Sequence, residues 1–125
     1  MESGRLVFDG RCGFCTRSTG WLHRLDRRDR VEVRPLQTPG VPESVGRTAQ
    51  ECTEQVRWLG SDGRQRGGAD AVNAALSAAL GTRAPLHLYR LTAVAQDRVY
   101  AWVATHRYRL PGATPHCSTH PAECG

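Results

Sequence analysis

"LVFDGRCGFCTRS" (Leu6–Ser18) decides the fold of this 125-residue chain. Its first residues, within "RLVFD" (Arg5–Asp9), form a short apolar run that reads as a buried strand ended by Gly10. From Cys12 the period changes. Phe14, Ser18, Trp21, Leu22 and Leu25 share one helical face, which predicts a helix from about Cys12 to about Arg28. Two cysteines, Cys12 and Cys15, thus stand where a strand gives way to a helix.

That position has chemical consequences. A helix N-terminus presents unpaired N–H groups and the positive end of the dipole, and both favour a thiolate. Arg11 and Arg17 add positive charge nearby. Cys15 follows one helical turn later, within reach of a disulfide to Cys12. In such a pair Cys12 is the attacking thiol and Cys15 the resolving one. The residues alone leave two other readings open, half of a zinc site or an idle pair. No second Cys-x-x-Cys exists, but "HCSTHPAEC" (His116–Cys124) gathers His116, Cys117, His120 and Cys124. A zinc-stabilised, non-enzymatic binding module using Cys12, Cys15 and this tail is the alternative function.

The rest of the chain extends the pattern. "VEVRPL" (Val31–Leu36) alternates as a second strand, and Pro35 places it near an end or an edge. A loop and a weak helix from Pro42 to about Thr53 follow. "QVRWLG" (Gln55–Gly60) is a third strand, and "SDGR" (Ser61–Arg64) carries the Asp-Gly hairpin signal into a short fourth. "ADAVNAALSAALG" (Ala69–Gly81) is helical by composition, with Asp70 expected to satisfy backbone donors at its start. Two further helical segments precede a tail without periodicity. Strand, helix, strand argues for a parallel pair with a crossover, and the hairpin adds an antiparallel strand. The chain is therefore α/β, a central mixed four-stranded sheet flanked by helices with a C-terminal helical extension. Residues 1–112 form one domain and 113–125 a flexible tail. Trp21, Trp58 and Trp102 are expected in the core, Arg107 in a buried ion pair and Cys52 as an unreactive thiol.

Composition excludes several classes. Apolar content of 39% and charge of 23% are those of a globular domain. No apolar run approaches the roughly 20 residues needed to span a bilayer, and no signal peptide is evident, so a cytoplasmic protein without membrane contact is expected. The net charge is +5, but all 17 basic residues are dispersed arginines, which argues against nucleic-acid binding. In a reducing compartment, cysteines are more often catalytic or metal-binding than structural.

Three stretches together are more specific. "FDGRCGFC" (Phe8–Cys15) resembles the Asp-Gly-x-Cys-x-x-Cys signature of the DCC family of thiol-disulfide oxidoreductases. "DGRQRGGADAV" (Asp62–Val72) and "VYAWVATHRYRL" (Val99–Leu110) are similar to that family's hairpin-to-helix junction and its C-terminal helix. The resemblance implies a thioredoxin-like fold and dithiol-disulfide exchange, with Asp9, Cys12 and Cys15 as the defining residues. Asp9 is expected to fix the turn and to take part in proton movement. No bound organic cofactor and no metal are expected. The implied partners are a protein or small-molecule thiol or disulfide and a thiol electron donor, acting on a monomer. One departure is plain. Thioredoxin-like proteins place a cis-proline before the third strand, and "TEQV" (Thr53–Val56) has no proline, so either the wall facing the dithiol is built differently or the activity is not general disulfide reduction.

Overall fold

The computed structural model describes residues 3–124; Met1, Glu2 and Gly125, at the ends of the expected domain and tail, lie outside the described residues. Strand β1 (Gly4–Phe8) leads into helix α1 (Gly13–Leu25), and β2 (Val31–Pro35) follows. Two short helices, α2 (Val41–Ser44) and α3 (Ala49–Glu54), precede the hairpin of β3 (Arg57–Gly60) and β4 (Gln65–Gly67). Helices α4 (Ala69–Leu80) and α5 (Ala84–His106), a short α6 (His116–Thr119) and a final 3₁₀ turn (Pro121–Cys124) complete the chain.

The four strands form one open mixed sheet in the order β2-β1-β3-β4. β1 runs parallel to β2, with Leu6 opposite Val33, and antiparallel to β3, with Leu6 opposite Trp58. β3 and β4 are antiparallel. This is the mixed four-stranded sheet flanked by helices expected from the residues. The helix α1 supplies the crossover that a parallel pair requires.

Alternation along β1 sends successive side chains to opposite faces. Leu6 packs with Leu22 of α1, Trp58 and the alanine face of α4, while Val7 packs with Val41, Val45 and Cys52 beneath α2 and α3. A layer of helices therefore covers each face of the sheet, and each large apolar side chain so buried stabilises the fold by about 1.5–3 kcal/mol.

Several expectations are corrected. The weak helix expected from Pro42 to Thr53 is two helices, because the chain turns at Gly46 and restarts in a capping box between Thr48 and Glu51. The two helical segments expected after residue 84 are joined as α5 and kinked at Thr92, whose φ is −125°. There the Thr92 hydroxyl donates to Leu88 O at 2.7 Å and accepts from Gln96 Nε2 at 2.9 Å, an insertion that bends helices. Asp70 stands in the first turn of α4 but accepts from Arg66 at 2.8 Å instead of capping the backbone. Gly68, at φ +64°, begins that helix, a conformation side chains other than hydrogen resist. Of the three tryptophans only Trp58 is core. Trp21 and Trp102 are more than half exposed; Arg24 lies over the Trp21 ring and His106 stacks on Trp102.

Candidate functional site

The Asp-Gly turn and the first turn of α1 build the site. Cys12 is the N-cap of α1, and its Sγ accepts the N–H of Cys15 at 3.2 Å. The two cysteines are thus neighbours on one helical turn, both free thiols. Their surroundings differ. Cys12 is fully buried, whereas Cys15 is half-buried and borders an apolar cavity of about 560 Å3 between α1, α4 and α5. Burial first, then the hydrogen bond to the Cys12 side chain, push the Cys15 thiol far above its ordinary range. Cys15 therefore holds its proton beside the Cys12 sulfur.

Asp9, at the end of β1, is almost wholly buried yet fully partnered. One carboxylate oxygen accepts the Arg11 N–H at 3.0 Å and the Gln37 side chain at 2.8 Å. The other accepts the Tyr108 hydroxyl and pairs with Arg107 at 3.2 Å. Burial opposes the charge, but the hydrogen bonds from Tyr108, Gln37 and Arg11, together with Arg107, outweigh it, and the carboxyl is held below its ordinary value. The expected buried ion pair of Arg107 is thus present, and its partner is the signature aspartate. Arg107 also borders the cavity, where its Nε is buried without a hydrogen-bond partner among the described residues. It is the cation that bears on Cys15, in place of the exposed Arg11 and Arg17.

The wall that lacks a proline is built by α5. The Val56 N–H donates to the Tyr100 hydroxyl at 2.9 Å, and Arg107 donates to Thr53 O at 2.9 Å. A proline has no N–H to offer at such a place. Sequence reasoning missed Gln37, Tyr100 and Tyr108 as parts of the site. The two tyrosines sit in the C-terminal stretch quoted above, so the signal was present; Gln37, in a loop, carries none.

Where the sequence predicts a flexible tail, residues 113–124 lie as a strap against the turn that holds Cys12. Ala113 N–H donates to Gly13 O at 3.1 Å, Cys117 N–H to Gly10 O at 2.9 Å and His116 N–H to the Thr16 hydroxyl at 3.1 Å. The contact depends on glycine: a Cβ on Gly13 would stand 2.6 Å from Ala113 O. Cys117 and Cys124 are joined in a disulfide with Cα atoms 5.6 Å apart. The metal-ligating groups that come together among the described residues are His116, His120 and Glu123, without Cys12 or Cys15. Cys52 is buried, and burial raises its thiol. No helix among the described residues is long and apolar enough to cross a membrane.

No curated protein and no solved structure gives a significant match to the chain. The family model described as DCC1-like thiol-disulfide oxidoreductase matches residues 6–113, from β1 to the start of the strap. With the cysteine pair, its aspartate and the supporting helix all inside that span, the chain belongs to the DCC1-like thiol-disulfide oxidoreductase family.

Proposed function

We propose that the protein is a thiol-disulfide oxidoreductase that works by dithiol-disulfide exchange, with Cys12 as nucleophile and Cys15 as resolving thiol. One observation carries the reading: the Cys12 sulfur caps α1 and accepts the Cys15 N–H, while Cys15 retains its proton beside it. An N–H aimed at sulfur stabilises negative charge there, and charge-assisted hydrogen bonds are the strong ones. The Cys12 thiolate attacks a substrate disulfide and forms a mixed disulfide as one substrate thiolate leaves. Cys15, giving up its proton, then attacks the Cys12 sulfur, the second substrate thiolate leaves, and Cys12–Cys15 is oxidised by two electrons. Asp9 acts as a positioning residue, holding the turn through Arg11 and fixing Arg107 close enough to bear on Cys15. The reaction needs no organic cofactor. A thiol donor returns the pair to the dithiol, and a cytoplasmic, monomeric protein is consistent with this chemistry.

The zinc-stabilised module is the weaker reading, because Cys117 and Cys124 are bonded to each other and the metal-ligating groups that come together among the described residues are His116, His120 and Glu123, without Cys12 or Cys15. A redox titration in graded thiol-disulfide buffer, followed by alkylation and peptide mass mapping, tests the two. Cys12 and Cys15 oxidising together as one two-electron couple supports exchange. A pair that resists oxidation and alkylation until a chelator is added overturns it.

A further inference from the structure

Cys12, the nucleophile, is fully buried, and the residues on both sides of it touch the strap. A Cβ on Gly10 would stand 2.9 Å from the Cys117 sulfur, and Gly13 carries Ala113 on its carbonyl. The strap therefore places a disulfide sulfur against the turn, two residues before Cys12. The other end of the disulfide loop is tied down separately, where the Thr38 hydroxyl donates to Glu123 O. Cys117 and Cys124 are themselves partly exposed. The family match stops at residue 113, before this disulfide begins.

We propose that Cys117 and Cys124 are a second redox pair that exchanges disulfide with Cys12 and Cys15 within the same chain, relaying electrons between the buried dithiol and external thiols or disulfides. The inference rests on Cys12 and Cys15 being an exchanging dithiol. It also accounts for the burial of the nucleophile.

The steps balance. The Cys12 thiolate attacks Cys117 Sγ, the sulfur nearest the turn; the Cys117–Cys124 bond breaks and Cys124 leaves as a thiolate. Cys15 loses its proton to Cys124 and attacks Cys12 Sγ. The Cys12–Cys117 bond breaks, and Cys117 leaves and takes a proton from solvent, replacing the one Cys12 had lost. Cys12 and Cys15 have given up two electrons, and Cys117 and Cys124 have gained them. An external disulfide reoxidises the strap pair by the same chemistry, and every step is reversible.

The test uses the full chain, fully reduced, then given 0.1 mM glutathione disulfide, with acid quench, alkylation and peptide mapping. In the wild type the disulfide is expected first on Cys117–Cys124 and then on Cys12–Cys15, the second transfer at a rate independent of protein concentration. In Cys117→Ser/Cys124→Ser the Cys12–Cys15 bond should form about tenfold more slowly, since a tethered partner acts at roughly millimolar effective concentration. In Cys15→Ser/Cys124→Ser a Cys12–Cys117 disulfide should accumulate, which needs no comparison of folded stability. Oxidation of Cys12–Cys15 at an equal or greater rate without the strap cysteines, with no Cys12–Cys117 product, overturns the relay and leaves the dithiol standing. Failure of Cys12 and Cys15 to oxidise in any variant overturns both.

Discussion

The carboxylate of Asp9 and the guanidinium of Arg107 meet at 3.2 Å, both side chains nearly sealed from water. The pair ties the signature turn to the end of α5, and Thr53, before β3, is tied to the same guanidinium. Removing one partner of a buried pair leaves the other charge uncompensated, at a cost of about 3–5 kcal/mol. Asp9→Ala should lose stability in that range by urea denaturation, and loss of less than about 1 kcal/mol would show the pair to be solvated.

The same carboxylate sets a pH dependence. Its folded pKa is lowered, with burial opposed and outweighed by Tyr108, Gln37, Arg11 and Arg107. A depressed carboxyl contributes stability that is fully present above the unfolded value, about 3.9 for Asp, and is lost as pH falls through the folded value. The stability gap between wild type and Asp9→Asn should therefore narrow on acidification below about pH 4. Urea melts from pH 6 to pH 2 check this. In the same variant, exchange rates with an unchanged pH profile would remove Asp9 from proton movement.

Cys15 should be a poor thiolate. An ordinary thiol gains about twentyfold in alkylation rate between pH 7 and 9. Cys15, pushed up by burial and by Cys12, should react far more slowly at both pH values, gain close to the full ~100-fold that two pH units allow, and still be climbing above that interval. Cys12→Ser removes the thiol that raises it and should bring its profile back toward the ordinary one. Iodoacetamide labelling with peptide mapping reads both.

The wall beside the dithiol depends on a tyrosine. Tyr100→Phe leaves the Val56 N–H without its partner, a loss of about 1–3 kcal/mol. Chemical denaturation gives the magnitude, and a neutral result would mean that solvent replaces the hydroxyl.

Gly13 is where α1 and the strap touch. Gly13→Ala forces a methyl to within 2.6 Å of Ala113 O, while alanine favours the helix by up to about 1 kcal/mol. The domain should stay folded, the strap should move, and Cys12 should alkylate several times faster. Labelling no faster than wild type would show that the strap does not limit access to Cys12.

Much of this was written locally. Leu6–Phe8 alternate between two faces, the change of period at Cys12 marks the strand-to-helix junction, and Asp62-Gly63 turns the hairpin. Each depends on residues within a few positions of one another, so the order of elements, the mixed sheet and the place of the cysteine pair follow from the sequence alone. Asp9, Cys12 and Cys15 are close in sequence, and their proximity in space is local geometry too.

Only the tertiary structure decided what surrounds them. The exposure of Trp21 and Trp102 depends on which helix faces find a neighbour. Tyr108 and Gln37 reach Asp9 from distant elements. The strap, lacking any periodicity, is placed by backbone hydrogen bonds to Gly10 and Gly13 and by a disulfide, not by an apolar face. Hydrophobic patterning records which side chains leave water; it carries no record of which distant backbone group a buried charge or a non-periodic segment will find.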